Sequence, residues 1–266
     1  MSFKRVRANL VRFFGLLLLS LLALQLYFFA RVALMRFVDP QSTSFQRSEM
    51  VRLLTKQPAP RWKQQWRPYS RLSTSLKRAV IAAEDAGFTE HTGIEWDALE
   101  KAWQRNQRAE ARAAQSNARA AKRPAPSEPN TLGSAAPKLR PAPAKMVGAS
   151  TITQQLAKNL FLSSERNFLR KSQELAITFM LEGLLSKQRI LEIYLNNVEW
   201  GEGVFGAQAA AQHYFRVDAS QLNNMQAARL AVLLPAPKRF EKNSASAYVI
   251  GRAATITTRM GTVDLP

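Results

Sequence analysis

The sequence predicts a mainly α-helical protein carried on one N-terminal membrane helix. Three observations predict it. Residues Phe13 to Ala30 form an uncharged apolar run of 18 residues. Apolar residues recur at helical spacing through most of the remaining chain, and the alternation expected of strands is nearly absent. At 266 residues and 46% hydrophobic content, there is room for one sizeable domain besides the anchor. The chain has no cysteine, which excludes a disulfide framework, a zinc–thiolate site and a cysteine nucleophile.

The anchor comes first. A helix of that length spans about 27 Å, close to the thickness of a bilayer's hydrocarbon core. Ser20 and Gln25 are its only clearly polar side chains. Lys4, Arg5, Arg7 and Arg12 precede it and Arg31, Arg36 and Asp39 follow. This basic N-terminal flank predicts a cytoplasmic N-terminus with the rest of the chain outside. Tyr27, Phe28 and Phe29 fall at the outer interface. A cleaved signal peptide fits less well, because the run exceeds the usual apolar region of about 7–15 residues and no small-x-small site follows.

The expected organisation is a cytoplasmic tail (1–12), a transmembrane helix (13–30), a linker (31–61), a catalytic domain (62–250) and a C-terminal tail (251–266). In the approach to the domain, Pro40, Pro58, Pro60 and Pro68 break any long helix. From about Ser75 the pattern turns helical, with Leu76, Ala79, Val80 and Ala83 on one face. A second helix is expected from Trp96 to about Asn106, after a turn at Gly93. Residues 105–145 differ sharply, with twelve Ala, six Pro, nine Lys or Arg and no aromatic residue. Such a segment cannot bury enough apolar surface to offset chain entropy, so it reads as a disordered basic insertion, with a frayed helix before Pro124. Helical patterning resumes near Thr151 and runs, with turns, to about Arg239.

Charge is uneven. The formal total is +19, from 38 basic and 19 acidic residues. Residues 1–36 hold six basic residues and no acid, and 105–145 carry a net +7, which leaves +6 for everything else. The folded part is therefore only moderately basic, and a basic total of this size raises nucleic acid, anionic lipid or a phosphorylated substrate as partners.

Four segments carry polar residues that a plain helical core does not need. Glu84 and Asp85 end an apolar helix and are followed by Phe88, His91 and Gly93. A carboxylate at that place can be partly desolvated, which raises its pKa and suits it to general-base work; a helix-end charge is the plainer reading. In Gly148–Asn159, Ser150 or Thr151 can cap a helix on which Gln154 and Lys158 share one face and Gln155 and Asn159 another. That row offers donors and one cation to sugar hydroxyls and a phosphate, and equally describes a solvated face. Arg170, Lys171 and Glu174 lie within one helical turn, as a surface ion pair or as a phosphate clamp beside a second carboxylate. Ile190–Asn196 has its apolar positions at core spacing, and most of it reads as structural.

In this order, and beside an anchor, these segments resemble the monofunctional biosynthetic peptidoglycan transglycosylases, the single-domain members of glycosyltransferase family 51. The matches are ED-x-x-F-x-x-H-x-G at 84–93, G-x-STITQQ-x-x-KN at 148–159, RK-x-x-E at 170–174, ILE-x-YLN at 190–196 and the run 229–237. Ala149 stands where many members have Gly, and the 105–145 segment is longer than expected between the first two signatures.

The resemblance implies a lysozyme-like helical fold and polymerisation of lipid II into β-1,4 glycan strands with inversion. It implies Glu84 as general base and Glu174 as the second catalytic carboxylate, with Asp85, Ser150, Thr151, Gln154, Gln155, Lys158, Asn159, Arg170 and Lys171 around the substrate. No motif demands a metal; a divalent cation, Mg or Mn, is compatible with a diphosphate leaving group. The expected partners are lipid II, the growing strand, membrane lipids and the cell-wall synthesis machinery at a bacterial inner membrane, not nucleic acid. The stretch after the last signature is too short for a transpeptidase domain. The alternatives are a lysozyme-like glycan-cleaving enzyme, which has no use for the cations, and a polyanion-binding membrane protein, whose basic insertion lacks aromatic residues to stack bases.

Overall fold

A computed structural model describes residues 3–56, 62–121, 150–162 and 167–266. These form two compact units, Met1–Ile94 with Thr151–Pro266, and Glu95–Ser150. The larger unit contains helices α1 (Phe3–Leu34), α2 (Ser44–Leu54) and α3 (Thr74–Glu84), and the smaller contains α4 (Trp96–Ala121). Helices α5 (Ile152–Phe161), α6 (Phe168–Leu184), α7 (Lys187–Asn197), α8 (Ala207–Phe215), α9 (Asn224–Leu233), α10 (Pro237–Glu241) and α11 (Ala247–Arg259) complete the larger unit. The architecture is mainly helical, as expected.

The apolar run is the middle of α1. Leu16, Leu18, Leu19 and Leu22 are exposed, whereas Phe28, Val32 and Met35 are buried in the domain core. One helix is therefore covered in two ways, with lipid needed along its first part and protein closing over one face of its last turns. Val6–Leu34 is long and apolar enough to cross a membrane.

Helix α2 lies in the stretch expected to be linker. The prolines flank it rather than break it. Thr43 caps it in a reciprocal box with Gln46, at 3.0 and 2.9 Å, a device typically worth about 1 kcal/mol. Gln46 Nε2 also donates to the Asn197 carbonyl at 3.2 Å, which ties α2 to the end of α7.

The sequence of α3 explains both its position and its end. Ser73 caps it through the Leu76 amide at 3.1 Å. Leu76, Ala79, Val80 and Ile81 are fully buried, and each large one contributes about 1.5–3 kcal/mol by leaving water. Asp85 leaves helical geometry and closes the helix on Glu84. The small buried residues Ala227, Ala228 and Ala231 let α9 pack closely on α3, with α11 also against α9. Helix α5 packs along α6 and α7.

Three short strands escaped the sequence reading: β1 (Lys63–Gln64), β2 (Glu199–Gly201) and β3 (Val204–Phe205), in sheet order β1-β3-β2. Elements of two or three residues show no alternation to read. They clip the entry segment to the middle of the domain, with β1 parallel and β2 antiparallel to β3. After β3, Gly206 turns the chain at φ 79°, where a Cβ would meet the Asn196 carbonyl oxygen at 2.6 Å.

In the smaller unit, α4 runs to Ala121, well past Asn106. Its Ala-, Arg- and Gln-rich sequence has high helix propensity, which carries the helix on without a core. The rest of the expected insertion, from residue 122, and Gly148 and Ala149 of the second signature lie outside the described residues.

Candidate active site

Glu84 is the last residue of α3, half-buried and surrounded by enough protein to be desolvated. Burial is the main cause that raises its pKa above the ordinary carboxylate value, and the neighbouring Asp85 charge adds to it. A hydrogen bond from Gln155 and the positive charge of Lys158 act the other way. Gln155 Nε2 donates to Glu84 Oε2 at 2.8 Å. Its carbonyl Oε1 in turn accepts from the Tyr194 hydroxyl at 2.9 Å. Tyr194 is fully buried, and burial first, then the charges of Glu84 and Asp85, push its phenol pKa well above the usual value. The phenol therefore stays protonated and donates. That fixes the amide of Gln155 with its N–H toward the carboxylate, because an ionised carboxylate can only accept.

Asp85 ties two elements together. Its Oδ2 accepts the Ile152 backbone N–H at 2.9 Å, at the N-terminus of α5, where an acid offsets the unpaired amides and the helix dipole. Its Oδ1 lies 2.7 Å from His91 Nε2. His91 Nδ1 accepts from the Gly93 amide at 3.1 Å, so the ring proton sits on Nε2 and is donated to Asp85. Gly93 has φ 89°, and a Cβ there would meet Thr178 Cγ2 at 2.7 Å. Its carbonyl accepts the Thr151 hydroxyl at 2.7 Å. The end of α3 is thus bolted to the start of α5, which is what sets Glu84 beside Gln155.

The helix-capping question left open by the sequence is decided for Thr151, which accepts from the Gln154 amide at 3.2 Å while Gln154 Oε1 accepts from the Thr151 amide at 3.3 Å. Ser150 is exposed. Gln154 is buried with its carbonyl oxygen engaged in the cap, whereas Gln155 is engaged at both ends of its amide, Lys158 is exposed and Asn159 is half-buried.

On α6, Asn167 caps the first turn by accepting from the Arg170 amide at 2.7 Å. Glu174 is buried, with Oε2 at 2.8 Å from Arg170 Nη1 and Oε1 at 2.5 Å from Lys171 Nζ. A carboxylate that faces two cations holds both heads in place. Lys171 is half-exposed, and Arg170 Nε is buried without a partner among the described residues. Glu182, further along α6, accepts from Thr153 at 2.6 Å and Lys187 at 2.9 Å, which fixes α5, α6 and α7 together.

Sequence reasoning missed Tyr194. Its helix reads as core, and it is core apart from the hydroxyl. The available signal was a Tyr where a Phe would pack as well, since a buried phenol needs a partner. His213 bonds Glu241 and lies apart from this group of residues in hydrogen bonding.

The chain matches the Transglycosylase family over residues 51–116 and 129–261. It is 46% identical over 242 residues to the biosynthetic peptidoglycan transglycosylase of Bordetella pertussis, covering 91% of this chain and 88% of the relative. The protein of the same description from Burkholderia thailandensis is 47% identical over 245 residues, covering 92% and 83%. That from Bordetella avium is 44% identical over 269 residues and matches from end to end.

Proposed function

Because the chain belongs to the transglycosylase family, whose domain is lysozyme-like, we propose that Glu84 is the general base of a peptidoglycan glycosyltransferase using lipid II. The observation that carries this reading is the desolvated Glu84 carboxylate, held by Gln155 and close to the charge of Lys158. Glu84 takes the proton of the acceptor sugar's 4-hydroxyl. The oxygen attacks the anomeric carbon of the growing strand, and the bond to the lipid pyrophosphate breaks with its electron pair on the leaving oxygen. An α-linked donor becomes a β-1,4 bond, so configuration inverts.

The leaving group is already stable as an anion and needs charge neutralisation more than a strong acid. Lys158, Arg170 and Lys171 supply it. Glu174 orients the last two and does not take a proton. A divalent cation arriving with the diphosphate would share Glu174 with these two cations or compete with them for it. Asp85, Thr151 and Gln154 act by holding the helix ends, while Gln155 and Asn159 face the substrate side; Ser150 is a further candidate contact. The catalytic domain, assigned to residues 62–250, lies on the periplasmic side of the inner membrane, with the N-terminus in the cytoplasm.

The test is incubation of the purified full-length protein with labelled lipid II and separation of polymer from monomer. Glu84→Gln keeps shape and hydrogen bonding but cannot accept the proton, so polymerisation should fall by about 10²–10⁴-fold with lipid II still bound. Near-parental rates in Glu84→Gln beside a dead Glu174→Gln would exchange the two roles. A parent protein that makes no polymer would sink the whole reading.

A further inference from the structure

Gln25 is out of place in a simple tether. It sits inside the apolar run, five residues before Ala30, which is about 7.5 Å along the helix. A leucine there would span a bilayer better, since an amide in hydrocarbon is costly unless it is hydrogen-bonded. The structure shows its partner. Gln25 Nε2 donates to Gln173 Oε1 at 2.8 Å, and Gln173 Nε2 donates back to Gln25 Oε1 at 3.1 Å. The two amides close a reciprocal pair between the anchor and α6.

The place of that pair matters. Before it, Leu18, Leu19, Leu21 and Leu22 are exposed. One turn after it, Phe28 is buried and meets Phe161 edge-on at 5.3 Å. Gln25 therefore marks the point where protein begins to cover the anchor. Gln173 is the residue next to Glu174, and Arg170 and Lys171 lie within the preceding turn, roughly 5 Å along the axis. Long basic stems anchored at this depth reach up to lipid headgroups.

We propose that the Gln25–Gln173 pair is a positioning device that locks α6 to the anchor at a set depth, so that Arg170 and Lys171 meet a lipid-linked pyrophosphate at the headgroup plane. The role rests on the reading of those two residues as phosphate-binding cations. The anchor is then one wall of the substrate site as well as its tether. Loss of the pair should weaken engagement of a substrate fixed in a bilayer and leave the bond-forming step unchanged.

The experiment uses the full-length protein in proteoliposomes, and it is clean because the chain has no native cysteine. Gln25→Cys combined with Gln173→Cys should be joined within the chain by a short bifunctional thiosulfonate reagent. The pair Leu18→Cys with Gln173→Cys should not. Gln25→Leu and Gln173→Leu should each raise KM for lipid II in the bilayer by roughly fivefold with kcat within about twofold. In detergent micelles, where no fixed headgroup plane exists, the defect should shrink below about twofold. A general packing defect would instead appear equally in both media. Absence of the cross-link, equal defects in micelles and bilayers, or no defect in either would overturn the proposal. A parent that fails to polymerise lipid II while the cross-link forms would remove the substrate reading and the role together, leaving only the docked anchor.

Discussion

Tyr194→Phe tests the brace behind the base. The substitution removes one oxygen and leaves a ring of almost the same shape in a fully buried site. Gln155 Oε1 then loses its donor, and only the Glu84 carboxylate itself still favours the orientation that points Nε2 at it. A flipped amide would set its carbonyl against the carboxylate. A hydrogen bond to a charged group is worth about 1.5–3 kcal/mol, and a 1.4 kcal/mol loss is a factor of about ten. The whole bond is not lost, because Gln155 can still turn back, so a fall in kcat of roughly tenfold is expected. The pH profile gives the sharper readout. Gln155's bond lowers the pKa of Glu84, against the larger effect of burial. Weakening it lets the pKa rise further, and a base that must be ionised then loses activity at higher pH. The acid limb of kcat for lipid II polymerisation should therefore move to higher pH in Tyr194→Phe and further in Gln155→Ala. A Tyr194→Phe enzyme with parental kcat and an unmoved acid limb would refute the argument, and so would a loss of kcat that is the same at every pH.

Glu199 offers a test of stability. It is buried in β2 with Lys238 at 3.4 Å, and burial pushes its pKa up to about 7 from 4.5, against the opposing charge of Lys238. The folded protein holds this proton more tightly than the unfolded one, so stability falls as pH rises from about 4.5 through about 7. A rise from 4.5 to about 7 corresponds to a loss on the order of 3 kcal/mol above that window. Glu199→Gln should flatten this slope in urea titrations of the full chain in detergent and be the more stable form at pH 8; an unchanged slope would refute it. Replacing residues 108–143 with a short Gly/Ser linker should leave measurable polymerisation, since the segment has no core-forming composition. Complete loss of activity in a variant with an intact helical circular dichroism spectrum would place that segment in the site.

The sequence by itself determined what local pattern can encode. The anchor follows from an uncharged run, and the helices of the domain follow from apolar residues at helical spacing. Glu84 and Glu174 stand out through their place in ordered signatures. The start of the helix at Ile152 follows to within a residue from a cap at Ser150 or Thr151, and the structure chose Thr151. What only the tertiary structure decided is which polar group meets which. Asp85 closes on the Ile152 amide, 67 residues away, and Glu84 on Gln155 at 71. Tyr194 reaches Gln155 across 39 residues, and Gln25 reaches Gln173 across 148. Periodicity reports which face of a helix is buried, because burial depends on composition along one element. A hydrogen bond between helices depends on how two elements dock, and its direction on which group can only accept. For that reason the capping role of Gln154 was not legible beside its reading as a ligand contact, and Tyr194 could be read as plain core until its hydroxyl had a partner.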